Sequence, residues 1–301
     1  MLKKETLSKL SISASMLIFG TIGLFRRSLP LPSGFIACAR GIIGSLFLSA
    51  VCLLRGTKLS GGAIKKQLLP LCVTGGMIGA NWILLFEAYN YTSVAAATLC
   101  YYLAPMIVIL LSPILFRERL TLKKGLCALC ALCGITLVSG IFKPDGAVPG
   151  KNDTLGLLLG LGAAVLYACV ILGNKKIGGV PAFDRTLVQL AAAAVVVLPY
   201  TLLAECTPET FSALADLKTA GLLLLVGILH TGIAYTLYFG ALEGLSAQTA
   251  ALLGYIDPVS AIILSALLLS EPMGVLDIIG AVLVLGAALV SDLPLGQKEK
   301  K

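Results

Sequence analysis

Two titratable side chains lie deep within apolar stretches of this sequence. His230 is the only histidine and follows Thr219 by eleven residues, and Asp257 follows Ser246 by eleven residues. In a helix that rises about 1.5 Å per residue, each side chain lies about 16 Å from the start of its segment. An ionised carboxylate at that depth costs about 3 kcal/mol, so we expect Asp257 to face a cavity, a partner or a proton. A histidine there can relay protons or bind a carboxylate.

Both residues also have simpler explanations. A protonated Asp257 could hydrogen-bond a carbonyl that the following Pro258 frees, and a single buried histidine is often a packing residue whose hydrogen bonds are satisfied. We predict that both residues line a substrate site and carry protons. Whether they contact each other stays open at this point.

Aromatic and polar side chains occur at comparable positions in other apolar stretches. Aromatic walls with a few polar groups suit a small amino-acid or drug-like ligand. Packing alone is the competing explanation for each residue. The side chains that we predict to line the site together with Asp257 and His230 are Asn81, Trp82, Tyr102, Tyr167, Tyr235 and Tyr255.

Pro105 and Pro258 lie about midway along their apolar stretches. Each proline removes a helical hydrogen bond, which predicts broken helices that act as hinges or line a cavity; a static packing kink is the alternative. Arg40 lies about seven residues into another stretch. We interpret it as snorkelling to the membrane surface or pairing with a neighbouring helix, with attraction of an anion as the alternative.

The composition identifies the class of protein that must hold these side chains in place. Of 301 residues, 58% are hydrophobic and 13% are charged, and the mean hydropathy is +0.98. Apolar runs of about 20 residues match the length of a helix that crosses a bilayer. The sequence therefore predicts an all-α membrane protein with ten transmembrane helices, near residues 8–25, 34–54, 68–88, 94–116, 125–141, 154–173, 186–204, 219–239, 246–269 and 274–291.

Positive charge is distributed unevenly between the loops. With a cytoplasmic N-terminus, seventeen Lys and Arg residues lie on the cytoplasmic side and five lie outside. This bias predicts a multi-pass protein of the cytoplasmic membrane with both termini in the cytoplasm. The net charge of +8 is accounted for by these short loops, so we exclude nucleic acid as a partner.

The chain contains an internal repeat. Residues 93–118 and 246–271 share ten identities in 26 aligned positions at a shift of 153 residues, including Tyr102 with Tyr255 and Pro105 with Pro258. Two repeats of five spans, 8–141 and 154–291, would enter the bilayer from opposite sides because five is odd. Glu118 would then lie at a cytoplasmic helix end and its counterpart Glu271 at an external one.

At these residues the chain resembles the drug/metabolite transporter superfamily, in particular its ten-span EamA-type members. The resemblance rests on the stretches 86–119 and 239–272, on HTGIAYTLYFGAL at 230–242, and more weakly on Arg40 and on Gln189 near the corresponding place in the seventh span. It implies ten helices around a central cavity, alternating access, and transport of small metabolites.

These observations predict a secondary transporter rather than an enzyme. Its substrate would be a small metabolite, amino acid or drug-like solute, and export is the expected direction. The alternative is an intramembrane enzyme that uses Asp257 and His230. A nucleotide-driven pump is disfavoured because the sequence lacks a phosphate-binding loop motif. We expect no cofactor and no metal; the expected partners are the solute, the lipid bilayer, coupling protons and a second copy of the chain in a homodimer.

Overall fold

Apolar segments in a bilayer must satisfy their backbone hydrogen bonds internally, which favours helices. The computed structural model describes residues 2–22, 25, 28–56, 58–92, 97, 100–117, 120–138, 153–269 and 274–292, and it contains helices and no strands within those ranges. The prediction of an all-α fold is confirmed for this part of the chain. Glu118 and Glu271 lie outside the described residues.

Each of the ten predicted segments overlaps at least one helix. The helices are α1 (Leu2–Gly20), α2 (Ser33–Leu54), α3 (Gly61–Lys66), α4 (Leu68–Tyr91), α5 (Ala104–Phe116), α6 (Leu122–Val138), α7 (Asp153–Lys176), α8 (Ala182–Tyr200), α9 (Pro208–Leu214), α10 (Leu217–Gly227), α11 (Ala234–Leu242), α12 (Ala247–Leu253), α13 (Ile256–Leu269) and α14 (Val275–Asp292). Among the described residues, five helices are long and apolar enough to cross a membrane: Ser33–Leu54, Leu68–Ala88, Thr154–Lys176, Ala182–Glu205 and Leu217–Leu242.

Two stretches of π-helix interrupt the regular helices. Thr201–Glu205 extends α8, and Ile228–Ile233 joins α10 to α11 so that the three form one continuous span. A π-helical turn is rare and often occurs at a functional site, because its wider turn redirects the side chains that it carries. The second stretch contains His230.

Turns at the same relative place interrupt two other spans. Tyr102 and Leu103 form a turn immediately before α5, and Gly254 and Tyr255 separate α12 from α13. Pro105 lies at the start of α5, where the missing N–H of a proline costs no hydrogen bond. Pro258 likewise follows the second turn, so the helices break just before the two prolines.

The pattern of contacts between the helices stays the same when the two halves of the chain are exchanged. The contact of α4 with α7 has its equivalent in α11 with α1, and the contact of α5 with α7 has its equivalent in α13 with α1. Contacts of α4 with α8 likewise correspond to contacts of α2 with α10 and with the second π-helical stretch. In two further pairs each helix is the equivalent of the other in the opposite half. These pairs, α2 with α8 and α6 with α14, also pack together.

Glycines allow the closest of these approaches. A Cβ added at Gly79 of α4 would lie 2.7 Å from the carbonyl oxygen of Ala193 in α8, and one at Gly75 would lie 2.8 Å from the Cα of Gln189. Small residues let membrane helices approach backbone to backbone, where van der Waals packing drives association. The spacing of Gly75 and Gly79 therefore accounts for the tight α4–α8 contact.

The last long span begins at a side-chain cap. The Asp216 carboxylate accepts hydrogen bonds from Thr219 N and Thr219 Oγ1, both at 2.9 Å. The cap satisfies one of the free N–H groups at the helix start, and the backbone hydrogen bond lowers the pKa of Asp216. This cap fixes where α10 begins, and hence which residues reach the middle of the span.

Candidate functional site

A buried arginine lies at the centre of the helix bundle. Helix α2 begins after Pro32, whose backbone is extended, so Arg40 lies about 10 Å along the helix. Its side chain is 4% exposed. Its Nε donates a hydrogen bond to Thr231 Oγ1 at 3.0 Å, and the guanidinium carbon lies 4.8 Å from the ring centroid of Trp82.

The prediction that Arg40 snorkels to the membrane surface is wrong. Helix α2 packs against both α8 and the π-helical stretch of the span α10–α11, so this face of α2 is turned inward. The alternative that Arg40 pairs with a neighbouring helix agrees with its hydrogen bond to Thr231. No carboxylate among the described residues lies within ion-pair distance of the guanidinium.

The π-helical stretch places His230 next to Thr231 in the same interior region. His230 is fully buried, its Nε2 lies 2.7 Å from Thr21 Oγ1, and its ring meets Phe25 edge-on at 5.0 Å between centroids. The Thr21 hydroxyl donates its single proton to Ile18 O at 2.7 Å. We therefore assign the proton of His230 to Nε2, which donates to Thr21.

That assignment leaves His230 Nδ1 as a hydrogen-bond acceptor. Nδ1 is buried and has no partner within the described ranges. A buried polar atom without a partner costs about 1–3 kcal/mol and calls for an explanation. A ligand that supplies an N–H or O–H group is one such explanation.

Aromatic side chains surround the arginine. Trp82 Nε1 donates to Tyr235 Oη at 3.2 Å, and Tyr235 meets Phe19 edge-on at 5.0 Å. We call Arg40, Trp82, Thr231, Tyr235 and His230 the central cluster. It joins α2, α4 and the span α10–α11, so residues from both halves of the chain build it.

A stack of tyrosines continues from this region. Tyr167 of α7 lies between Tyr101 at 5.5 Å and Tyr238 at 6.5 Å, with both ring pairs stacked. Phe19 meets both Tyr235 at 5.0 Å and Tyr238 at 6.5 Å between ring centroids, so its ring connects the stack with the central cluster. Tyr167 thus lies in the same aromatic region as Trp82 and Tyr235.

Equivalent positions of the repeat touch each other. Tyr255 Oη donates to the backbone carbonyl of Tyr102 at 3.3 Å and joins the two helix breaks. Trp82 and Tyr235 are also related by the shift of 153 residues.

Asp257 lies at the start of α13 and is half-buried. Within the described part of the chain its carboxylate has no hydrogen-bond or ion-pair partner, and only its backbone carbonyl accepts a hydrogen bond, from Ser260 Oγ at 2.8 Å. No hydrogen bond joins Asp257 to His230.

Asn81 has a different environment from the other predicted site residues. Its Nδ2 donates to the carbonyl of Ala163 in α7 at 2.6 Å, and the side chain is 2% exposed. This bond ties α4 to α7 beside the central cluster.

Sequence reasoning gave no weight to Thr21 and Thr231, whose positions in apolar segments do not distinguish them from other threonines.

Polar side chains hold the helices together at the end of the bundle where α7 leads into α8. Arg185 is 1% exposed and its Nη2 lies 2.8 Å from Glu243 Oε1; Nη1 donates to the carbonyl of Asn174 at 3.1 Å. Lys175 Nζ donates to the carbonyl of Leu245. A cavity of about 510 Å³ beside these groups is lined in part by Lys4 and Glu243.

The opposite end of the bundle is joined by a helix cap. The Glu205 carboxylate accepts hydrogen bonds from Gly34 N at 3.1 Å and from Phe35 N, at the start of α2. A carboxylate at a helix N-terminus also interacts favourably with the helix dipole. Tyr200 Oη donates to Glu87 Oε1 at 2.6 Å nearby, so both ends of the bundle are held by polar contacts between different helices.

Apolar helices that enclose a buried cation and aromatic rings are typical of a membrane protein with an interior polar site. The EamA-like transporter family matches this chain twice, at residues 7–140 and 154–291. The chain belongs to this family.

Similar proteins carry related names. An uncharacterized transporter named YxxF from Bacillus subtilis is 30% identical over 270 residues, which are 87% of this chain and 82% of that protein. Protein PecM of Dickeya dadantii is 28% identical over 77% of this chain and 76% of its own. Protein RarD of Salmonella typhimurium is 27% identical over 69% of this chain and 67% of its own.

One solved crystal structure supports the fold alone. It superposes on this chain with a TM-score of 0.79 at 22% sequence identity, and the alignment covers 95% of this chain and 97% of that structure. Taken with the family match, these findings identify a membrane transporter.

Proposed function

We propose that this transporter is a secondary carrier that exports a small solute across the cytoplasmic membrane by alternating access. The observation that carries the proposal is the exchange symmetry of the helix contacts, with the central cluster between the two halves. Two nearly equivalent halves can adopt two nearly equivalent states, each open to one side, around a single site.

The proposed topology has ten spans in two inverted repeats, residues 8–141 and 154–291, with both termini in the cytoplasm. The ten helical segments, the two matches to the family and the charge bias of the loops support it. Reporter domains fused after residue 145 and at the C-terminus should report opposite sides of the membrane. A shared side would contradict the inversion.

The helix breaks before Pro105 and Pro258 are the proposed hinges. Each break replaces regular helix by a turn, and the hydrogen bond from Tyr255 Oη to the Tyr102 carbonyl joins the two. Small changes of backbone angles at hinges can move whole helices. The polar contacts at the two ends of the bundle, such as Arg185 with Glu243 and Glu205 with the start of α2, would open and close in turn.

Asp257 is the proposed proton carrier, because its carboxylate has no fixed partner among the described residues. His230 is the second candidate for proton coupling. A homodimer stays a prediction. The missing hydrogen bond between Asp257 and His230 gives no support to the acid/base pair that an intramembrane enzyme would use.

Reconstitution tests the function without knowledge of the substrate. Liposomes that contain the purified protein would be loaded with a cell metabolite extract, placed under a proton gradient and analysed by mass spectrometry. Selective loss of solutes from the lumen, relative to protein-free liposomes, supports transport. Conversion of solutes into new products without release would favour an enzyme.

Asp257→Asn tests the coupling. If Asp257 carries the proton, the variant should lose the dependence of solute release on the pH gradient while keeping exchange down a solute gradient. A pH dependence unchanged from the wild-type protein would remove Asp257 from the coupling mechanism.

A further inference from the structure

Arg40 carries a charge that the described protein does not neutralise. Burying an unpaired ion in the interior of a protein costs free energy, so buried charges are usually paired with an opposite charge. The contacts of Arg40 are a threonine hydroxyl and the face of Trp82. A cation over an aromatic face is stabilised by the ring when it is desolvated, which offsets part of the cost but leaves the positive charge.

The geometry leaves one side of the guanidinium open for a ligand. The hydrogen bond to Thr231 uses Nε, and neither terminal nitrogen has a hydrogen-bond partner among the described residues. Two terminal nitrogens of arginine present parallel N–H groups that fit the two oxygens of a carboxylate. Since the central cluster contains one cation, a single negative charge completes it, whereas a phosphate would bring an excess.

The side chains beside Arg40 are aromatic and can contact a flat apolar group. Trp82 and Tyr235 are hydrogen-bonded to each other beside the guanidinium. The stack of Tyr101, Tyr167 and Tyr238 lies next to them. Rings prefer edge-to-face or offset contacts with such side chains. A solute with a ring and a carboxylate would satisfy both the aromatic side chains and the charge.

We propose that Arg40 binds the carboxylate of an aromatic monocarboxylate, and that this class of solute is the substrate of the carrier. The inference rests on the proposed transport function and deepens it. Arg40 would contact the substrate directly, and Thr231 would hold the guanidinium in position through Nε.

The sole tryptophan, Trp82, makes binding measurable in the wild-type protein. Phenylacetate does not absorb at 295 nm, so the emission of Trp82 can be followed while phenylacetate is added to the purified protein in detergent. Phenylacetamide and phenethylamine keep the ring and replace the negative charge by a neutral or a positive group. We expect a saturable change with the acid and at least about a tenfold weaker effect with the amide and the amine.

Variants locate the site. Arg40→Gln should weaken phenylacetate binding at least about tenfold, and Arg40→Lys should keep part of it because the charge remains. Arg55→Gln is the matched control, since Arg55 directly follows the same helix and is exposed; its affinity should equal that of the wild-type protein. If Arg40→Gln does not fold, the acid–amide comparison on wild-type Trp82 and the Arg40→Lys affinity decide the question.

Equal effects of acid and amide, no effect of the acid, or unchanged affinity in Arg40→Gln would each overturn the proposal. The transport assay distinguishes a failure of the proposed Arg40 site from a failure of the proposed transport function. Metabolite release with no selectivity for acids overturns the role of Arg40 alone. Selective acid binding without any flux overturns the carrier function and leaves the site.

Discussion

Two contacts of this protein are built alike and differ in charge. Arg40 of α2 donates from Nε to Thr231 in the span α10–α11 at 3.0 Å. Gln189 of α8 donates from Nε2 to Thr74 of α4 at 2.5 Å. In each case a long polar side chain on the second span of one half binds a threonine on the third span of the other half.

The difference between the two contacts bears on the ligand proposed for Arg40. Gln189 is neutral and also donates to Asn174 Oδ1 at 3.1 Å, so both N–H groups of its amide are used within the protein. Arg40 has one donor bonded to the protein and a full charge. Gln189 Oε1 is buried without a hydrogen-bond partner among the described residues too, so the difference between the two contacts is one of charge. The two contacts lie one helical turn off the register of the repeat.

The largest effect is expected from Gln189→Arg, which places a cation at the second contact as well. The new guanidinium would lie one helical turn from Arg185, whose side chain is 1% exposed, and the partners of Gln189 are neutral. A buried charge without a partner should lower the free energy of unfolding by at least about 3 kcal/mol. Titration with sodium dodecyl sulfate in mixed micelles measures this difference.

Gln189→Met is the control for that variant, because it keeps the length of the side chain and removes its hydrogen bonds without adding charge. It should lose about 1–2 kcal/mol. If Gln189→Arg were as stable as the wild-type protein, the scaffold would accept an unpaired cation at little cost. The charge of Arg40 would then need no functional explanation.

A smaller effect should come from removing the two threonine hydroxyls. Thr231→Val leaves the charged Nε of Arg40 without its acceptor and should cost about 2 kcal/mol. Thr74→Val leaves Gln189 its bond to Asn174 and should cost about 1 kcal/mol. The nine cysteines, three of which are buried, allow unfolding to be followed with a thiol-reactive dye during heating.

The order of the stability losses in Thr231→Val and Thr74→Val tests which of the two contacts is the stronger. A greater loss in Thr74→Val than in Thr231→Val would mean that the neutral contact fastens the halves more strongly than the charged one. Phenylacetate should raise the stability of Thr74→Val as much as that of the wild-type protein, because both keep Arg40 and Thr231. It should raise the stability of Thr231→Val less, because the guanidinium is no longer held in position.

The helices were predictable from the sequence because apolar length alone determines them in a bilayer. The repeat in the sequence also aligns two pairs of residues that touch, Trp82 with Tyr235 and Tyr102 with Tyr255. The π-helical stretch Ile228–Ile233 was not predictable, because its residues have no composition that distinguishes it from regular helix.

The site was only partly predictable for a related reason. Depth in a span can be counted, but the direction of a side chain depends on packing with helices far away in sequence. The closeness of Arg40 to the helix start predicts either snorkelling to the membrane surface or pairing with a neighbouring helix. Only its acceptor Thr231, 191 residues away, shows that it pairs. Asn81 has suitable depth and polarity for a site but bonds to Ala163 of a neighbouring helix.

The last comparison is between two equivalent glycines, and it includes the smallest expected loss. A Cβ at Gly79 would lie 2.7 Å from the carbonyl oxygen of Ala193, and one at Gly232 would lie 2.8 Å from Cδ1 of the Phe47 ring. A backbone oxygen cannot move without its helix, whereas a ring can rotate, so Gly79→Ala should cost about 2 kcal/mol and Gly232→Ala less than about 1 kcal/mol. Gly221→Ala, with open space around it, should be neutral or slightly stabilising.

Equal losses at Gly79 and Gly232 in the detergent titration would show that Phe47 is held as firmly as a backbone. The two halves would then be equally rigid at this level, and their difference would be confined to the charge of Arg40.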